Sequence, residues 1–206
     1  MTKIIETDSL ASMEIIRTEI LSQTAWLEFK QKIYLDREGR ERNWAFVERV
    51  GGQKAVFIIP LDPKRRKILL IRQYRVPLAK YVVEFPAGLI DEWESVAETA
   101  QRELIEETGF SGVILNLSGA LAMSSGITSE SAYAALVEVD LDPSHRQPQL
   151  LETAEDIEPL IVSLDELATF LAEREKKGDI IDGKLYCFGL GLALSSLINA
   201  RCNSAS

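Results

Sequence analysis

The sequence has few of the residues on which several common kinds of site depend. It contains one histidine and two cysteines among 206 residues. Cys187 and Cys202 follow neither a CxxC nor a Cys/His spacing, so the pattern of a zinc site is missing and both thiols are expected to be buried or without function. His145 stands in a Pro-Ser-His-Arg stretch with no partner motif and is expected to be a solvated loop residue.

Long hydrophobic runs and an excess of positive charge are also missing. The longest apolar run, around residues 190–194, is far shorter than the roughly 20 residues that cross a bilayer, and the first six residues lack a signal-peptide pattern. The 23 basic residues are outnumbered by 32 acidic ones, for a net charge of −9, and no long basic stripe occurs. The sequence therefore argues against membrane and broad nucleic-acid partners, and predicts a cytoplasmic protein.

The remaining composition is that of an ordinary globular chain, with 46% hydrophobic and 27% charged residues. Its length fits one domain with a small appendage. We predict that residues 1–52 form a leader and a β-hairpin subdomain, and that residues 53–206 form the main domain. Residues 1–24 are expected to be a loosely attached leader with a short amphipathic stretch. The hairpin strands, 32–36 and 41–50, flank a turn at Arg37-Glu38-Gly39.

Strand and helix patterns alternate through the main domain. Strands are predicted at 54–59, 67–72, 81–85, 113–120, 131–139 and 160–162. Helices are predicted at 95–108 and 163–177, each opening with a Ser-x-x-Glu capping box and ending before a glycine. A third helix, 183–200, is apolar on most sides and is expected to pack inside. This alternation predicts an α/β fold in which a mixed β-sheet is sandwiched between α-helices.

An acidic stripe lies on the predicted helix 95–108. At about 100° per residue, Glu107 lies about 40° and Glu106 about −60° from Glu103 around the helix axis. Ala100 and Leu104 fall beside this arc, so the stripe borders the buried face. Clustered like charges are destabilising and call for a positive partner. Oxygen ligands without His or Cys select Mg²⁺ or Mn²⁺, whereas the alternative is a solvated acidic face.

A longer motif decides between these alternatives. Gly88, Glu94 and the run 102–110 match every specified position of the Nudix box, G-x5-E-x7-R-E-U-x-E-E-x-G-U, where U is a bulky apolar residue. The chain therefore resembles the Nudix hydrolases. The resemblance implies the Nudix fold, a divalent metal ion, and hydrolysis of a nucleoside diphosphate linked to a further group.

The resemblance also implies roles for individual residues of the box. Glu103 and Glu107 are the main metal ligands and Glu106 a possible further one. Glu107 and Arg102 belong to the catalytic group, in which Arg102 supports the loop together with Glu94.

The residues before the box resemble one branch of the family, the ADP-ribose and ADP-sugar pyrophosphatases. Gln73-Tyr74-Arg75 and the run 84–88, Glu-Phe-Pro-Ala-Gly, fit its Q-[FY]-R and E-[FL]-P-A-G patterns. In that branch the carbonyl of Ala87 is a metal ligand, and Arg75 lies near the diphosphate. The alternative for Arg75 is a surface arginine at the end of a strand.

Two positions depart from this branch. Ser125 stands where the branch usually has a proline, sixteen residues beyond the last glycine of the box. Ala45 stands where human-type enzymes have an acidic residue after a tryptophan. Ser125 weakens the ADP-ribose assignment, and Ala45 indicates that contacts to the base differ.

The N-terminal segment is similar to the same region of the human-type ADP-sugar pyrophosphatases. The similarity lies in Trp26-Leu-Glu, the run 34–39 and Arg42-Asn-Trp44. It implies a homodimer in which Trp26 and Trp44 stack on adenine, with Arg49 beside them, because indole faces gain stacking energy on a flat purine. The alternative is that both tryptophans are interface or core aromatics.

The catalytic base of this branch comes from a loop beyond the box. Aligning the strand 160–162 places Glu155 on the base, in contact with the metal site, and leaves Glu152 in reserve. The alternative is an acidic surface loop.

The resemblance thus implies Mg²⁺-dependent hydrolysis, with Mn²⁺ as a substitute, of ADP-ribose or a related ADP-sugar to AMP and a sugar phosphate. Ser125 leaves open another nucleoside diphosphate sugar such as GDP-mannose. A nucleotide-sensing domain without turnover would have a broken box, and this box is complete.

Overall fold

The computed structural model describes residues 13–203, which form two compact units. Within these residues, the first unit comprises residues up to 54 together with 122–132, and the second comprises 55–121 together with 133 onward. No helix in the described part of the chain is both long and apolar enough to cross a membrane.

The first unit contains a three-stranded antiparallel sheet within its described residues. The strands are β1 (Glu14–Gln23), β2 (Leu27–Leu35) and β3 (Glu41–Arg49), in that order. At the turn between β2 and β3, the Asp36 carboxylate accepts hydrogen bonds from the backbone N–H groups of Glu38 and Arg40, and Gly39 adopts a left-handed conformation with φ of 74°.

The prediction of a loosely attached leader is wrong for residues 14–23, which are the strand β1. The isoleucines of the amphipathic stretch favour extended structure, and this strand pairs with β2 along its length. A two-stranded ribbon is marginal in water, so the third strand stabilises the hairpin. Residues 1–12 of the predicted leader lie outside the described residues.

The second unit is built on a mixed sheet. The strands of this sheet are β4 (Ala55–Asp62), β5 (Lys67–Arg75), β6 (Lys80–Glu84), β7 (Ala87–Leu89), β8 (Gly112–Leu117), β9 (Leu121–Ala122), β10 (Ser131–Val139), β11 (Ile157–Ser163) and β12 (Ile180–Ile181). Only the last residue of β9 and the first two residues of β10 are assigned to the first unit. The main order is β12-β6-β5-β4-β10-β8, with β11 beside β5 and β7 beside β4. β12 runs parallel to β6, whereas β5 and β6 are antiparallel, which confirms the predicted mixed sheet.

Three helices accompany this sheet in the described part of the chain: α1 (Val96–Thr108), α2 (Leu167–Lys176) and α3 (Gly183–Asn203). α1 begins with both hydrogen bonds of the predicted Ser95/Glu98 capping box and ends at Gly109, whose φ is 78°. Ala100 and Leu104 of α1 are fully buried in the main apolar cluster, with Val56 and Leu69 of the sheet. The acidic stripe is therefore held against the sheet by the buried face of its own helix.

Two helix predictions need correction. α2 begins at Leu167 without a side-chain cap, because Ser163 of the predicted capping box is the last residue of β11, paired with Lys67. α3 does not pack inside along its whole surface. Leu185 is buried, but Tyr186, Leu190 and Leu194 are exposed.

Candidate active site

The acidic residues of α1 face a short strand that follows β6. This strand, β7, pairs with β4, and its first residue, Ala87, donates its backbone N–H to Oε2 of Glu107 at 2.9 Å. Residues 20 positions apart in the sequence are thus joined directly, and the Ala87 carbonyl belongs to the segment that Glu107 anchors. The structure brings together the strand, the loop and the helix that the motif predicts.

Gly88 lies directly under Glu103. A Cβ atom added at Gly88 would stand 1.8 Å from Oε1 of Glu103, far inside contact distance. The side-chain exposure of Glu103 is accordingly only 13%. The motif glycine is therefore required because the carboxylate of Glu103 occupies the space of its missing side chain.

Gly88→Ala is expected to displace Glu103 and lower kcat by about 10²-fold, because misplacing a reacting group by about 1 Å costs that much. Gly119→Ala is the matched control, since a Cβ added there meets no atom within 4 Å. Steady-state kinetics and melting temperature should be measured on both. Equal activity of the two variants would contradict the contact between Gly88 and Glu103.

Arg102 supplies the positive charge that the clustered carboxylates require. It binds Glu94 through two hydrogen bonds of 2.8 and 2.9 Å, and its Nη1 donates to Glu103 at 2.8 Å and to Glu106 at 3.0 Å. The paired guanidinium holds the pKa of Glu94 at about 2. Arg102 thus ties the loop residue Glu94 to two residues of the acidic stripe.

Glu107 is the buried member of the stripe, with 3% of its surface exposed. Burial raises its pKa to about 9, and the nearby charges of Glu103 and Glu155 add to this rise, against the opposing effect of the Ala87 N–H. Glu107 therefore keeps its proton at neutral pH unless a cation displaces it.

The donor set fits a hard divalent cation. Within residues 13–203 no three or more His, Cys, Asp or Glu side chains already form a metal-binding group. The candidate donors, however, are all oxygens, namely Glu103, Glu106, Glu107 and the Ala87 carbonyl, as Mg²⁺ prefers. A carboxylate has about four lone-pair sites, so the bonds from Arg102 leave sites on Glu103 and Glu106. A bound cation would also offset the unfavourable burial of an ionised Glu107.

Glu155 approaches the same acidic stripe from a loop. It is half-buried, and its negative charge adds to the rise in pKa that burial causes at both Glu103 and Glu107. Its Oε2 accepts a hydrogen bond of 2.9 Å from the backbone N–H of Glu152, whose own side chain is exposed. Glu155 therefore lies close enough to the stripe to interact with two of its members.

Arg75 is held by Glu84, for which the sequence motifs predict no separate role. Its Nε donates to Oε1 of Glu84 at 2.7 Å, and Glu84 is buried. The positive charge of Arg75 acts to lower the pKa of Glu107, so the guanidinium lies near the stripe. Glu84 opens the E-F-P-A-G pattern, and its pairing with the arginine of Q-Y-R, nine residues earlier, depends on the antiparallel pairing of β5 with β6, which no local motif indicates.

The predicted base-binding residues all belong to the first unit. Trp44 is 53% exposed and donates Nε1–H to the carbonyl of Gly126 at 3.1 Å, Arg49 pairs with Glu130 at 2.8 Å, and Trp26 is 79% exposed. A groove of about 370 Å³ is lined by Met13, Ile15, Lys32, Tyr34, Trp44, Phe46, Ser125, Thr128 and Ser129. The structure therefore brings Trp44 and Ser125 together at this groove, whereas Trp26 and Arg49 are not among its lining residues.

Comparisons with known proteins agree with this geometry. Residues 51–183 match the NUDIX domain family. The chain is 31% identical to the ADP-sugar pyrophosphatase of Mus musculus, over 84% of each chain. It is 32% identical to the ADP-ribose pyrophosphatase of Saccharomyces cerevisiae, over 84% of this chain and 80% of that protein.

A solved structure described as an ADP compounds hydrolase superposes with a TM-score of 0.69 at 23% identity, covering 94% of this chain and 98% of that one. At this identity the likeness shows the fold alone. It confirms the predicted arrangement of a mixed sheet and helices with an additional N-terminal sheet.

Proposed function

This chain belongs to the Nudix family of hydrolases, and on that premise we propose that it cleaves the diphosphate bond of ADP-ribose or a related ADP-sugar to give AMP and a sugar phosphate. The observation that carries the proposal is the buried carboxylate of Glu107, tied to Ala87 beside Glu103 and Glu155. The names of the two relatives support the class of substrate.

We assign the metal to Mg²⁺, with Mn²⁺ as a substitute, and its ligands to Glu103, Glu106, Glu107, Glu155 and the Ala87 carbonyl. When bound, such a cation neutralises charge on the diphosphate and lowers the pKa of water at the site. Arg102 is assigned to the orientation of the ligands, because its guanidinium binds Glu103 and Glu106 together.

The chain's other residues bind the diphosphate and move the proton. Arg75, held in place by Glu84, donates to diphosphate oxygens, for which a planar guanidinium is suited. Glu155 orients a water molecule and accepts its proton as the oxygen attacks one phosphorus in line. The bond from that phosphorus to the bridging oxygen breaks, and the other phosphate leaves as a monoester. The half-buried position of Glu155 near the stripe supports this role.

A second candidate substrate is another nucleoside diphosphate sugar, such as GDP-mannose. The observation in its favour is that Ser125, the residue that departs from the ADP-ribose branch, lines the same groove as Trp44. A hydroxyl at this position offers a base both a donor and an acceptor.

A substrate panel tests the proposal against this alternative. ADP-ribose, ADP-glucose, GDP-mannose and UDP-glucose should each be incubated with the protein and Mg²⁺, and kcat/KM and the products should be determined. We expect the ADP-sugars to exceed the others by about tenfold or more, which corresponds to about 1.4 kcal/mol. A preference for GDP-mannose, or no cleavage of any compound, would overturn the proposal.

We further propose that residues 1–52 serve base binding and homodimer formation, and that residues 53–206 carry the hydrolase site. The sheet β1–β2–β3 exposes large apolar side chains, including Ile15, Ile20 and Phe29, and Trp26 is exposed in the bend before β2. Apolar surface of this extent on a small sheet is typical of an interface. Trp26, Trp44 and Arg49 are the residues assigned to the adenine.

Trp44→Ala is expected to weaken ADP-ribose binding by about 1–3 kcal/mol through lost stacking, with kcat at saturation little changed. Trp93→Ala is the control, because Trp93 is 81% exposed in the second unit. Binding should be measured for ADP-ribose and for a ribose diphosphate without the base. Equal losses for the two compounds, or a monomer by light scattering at micromolar concentration, would refute the assignment.

A further inference from the structure

The segment 146–150 covers the C-terminal end of α1, which carries the acidic stripe. The last carbonyl groups of a helix have no partner within the helix. Here Leu150 N–H donates to the Glu106 carbonyl at 2.9 Å, Gln147 N–H to the Gly109 carbonyl at 2.7 Å, and Arg146 Nε to the Thr108 carbonyl at 3.1 Å. The chain that leads into the Glu155 loop is therefore attached to the end of the carboxylate helix.

Gln149 connects the C-terminal end of α1 to the residue at which the Glu155 loop enters β11. Its Nε2 donates to the Glu107 carbonyl at 2.6 Å and to the carbonyl of Ile157, the first residue of β11, at 3.2 Å. Its Oε1 accepts a hydrogen bond of 3.1 Å from Arg146. Because a guanidinium only donates, this contact fixes which end of the amide faces the two carbonyls.

The returning end of the loop is anchored as well. The Asp156 carbonyl accepts from the backbone N–H of Tyr74 at 3.2 Å, and the Asp156 carboxylate accepts from the hydroxyl of Tyr81. Tyr74 lies on β5 and Tyr81 on β6, which are neighbouring strands of the second unit's sheet. Glu155 is thus next in sequence to the anchored residue Asp156. The primary amide of Gln149 bridges the carbonyl groups of Glu107 and Ile157, on either side of the loop.

We propose that Gln149 is a positioning residue for the hydrolysis. By bridging the carbonyls of Glu107 and Ile157, it sets the spacing between the carboxylate helix and the loop that presents Glu155. This inference rests on the proposed function, in which Glu155 is the base. An ordinary helix cap would satisfy the Glu107 carbonyl alone, whereas the second bond, to Ile157, constrains the loop.

Gln149→Ala and Gln147→Ala form a matched pair. Gln147 is the same residue type two positions earlier, its side chain is exposed, and its contact with Gly109 runs through the backbone and survives the substitution. We expect Gln149→Ala to lower kcat for ADP-ribose by about 10–100-fold, with KM little changed, as for other residues that orient reacting groups. Gln147→Ala should match the wild type.

Combining each variant with Glu155→Gln tests whether Gln149 positions Glu155 or only stabilises the fold. If Gln149 acts through Glu155, then Gln149→Ala should change the residual kcat of Glu155→Gln by less than about twofold. The same loss in both backgrounds would overturn the inference. Gln149→Met, which keeps the approximate size but loses the donors without adding a charge, gives the same comparison if the alanine variant does not fold.

The wild-type assay distinguishes the two levels of failure. Absence of wild-type turnover with ADP-ribose and Mg²⁺ would refute the proposed function. Normal wild-type turnover with Gln149→Ala as active as Gln147→Ala would refute the positioning role and leave the proposed function standing.

Discussion

Glu107→Gln is expected to lower kcat for ADP-ribose by about 10²–10³-fold or more, the usual cost of removing one preorganised group that stabilises charge in the transition state. Glutamine is a comparable helix former, and its side-chain oxygen can still accept the hydrogen bond from Ala87. The variant therefore retains α1 and loses the charge that would bind the cation. Steady-state kinetics over a range of Mg²⁺ concentrations measure this loss.

The same variant is expected to stabilise the protein in the absence of metal. Because the pKa of Glu107 is raised from 4.5 to about 9 in the folded chain, folding takes up a proton between these values. The Glu107 contribution to the free energy of unfolding is therefore fully present below about pH 4.5 and lost as pH rises toward 9. Glutamine does not titrate, so its melting-temperature advantage in EDTA should increase from pH 5 to pH 8.

Glu92→Gln provides the control for loss of one negative charge, because Glu92 is exposed. It should show neither the kinetic loss nor the pH-dependent gain in melting temperature. Retained activity in Glu107→Gln would remove the metal assignment. A lower melting temperature than the wild type at pH 8 would contradict the unfavourable burial of the ionised carboxylate.

Glu155→Gln is expected to lower kcat by about 10²–10⁴-fold, the usual contribution of a general base. KM should change much less, because a base acts in the transition state. The comparison variant is Glu152→Gln, three residues away in the same loop. The Glu152 side chain is exposed, and its contact with Glu155 runs through its backbone N–H, so the substitution should leave most of the activity.

Kinetic constants for both variants should be measured at saturating Mg²⁺. If Glu152→Gln is the severely impaired variant, the predicted alignment of the loop is wrong by three residues and Glu152 is the base. If both remain active, the base lies elsewhere and the proposed mechanism is wrong.

Local signals in the sequence predicted α1 well, because its limits depend on neighbouring residues. Ser95 and Glu98 satisfy each other's backbone groups, and Gly109 ends the helix with a positive φ. The same spacing at Ser163 and Glu166 wrongly predicted a capping box for α2, because Ser163 belongs to β11, which pairs with β5. That pairing joins residues almost 100 positions apart and has no local signature.

In the candidate site, too, local features could be predicted from the sequence and long-range contacts could not. The spacing of Glu103, Glu106 and Glu107 on one helix is a local property and could be predicted. The roles of Glu84 and Gln149 depend on hydrogen bonds to residues 9 and 42 positions away. Such contacts exist only after the sheet has formed, and a single sequence does not reveal them.

The most direct test of the central claim follows the phosphorus atoms of ADP-ribose by ³¹P NMR, with the wild-type protein and Mg²⁺. We predict that the two diphosphate resonances are replaced by two phosphomonoester resonances, those of AMP and ribose 5-phosphate, and that EDTA prevents the change. Persistence of the diphosphate resonances with Mg²⁺ present, release of inorganic phosphate, or undiminished cleavage in EDTA would contradict a metal-dependent ADP-sugar pyrophosphatase.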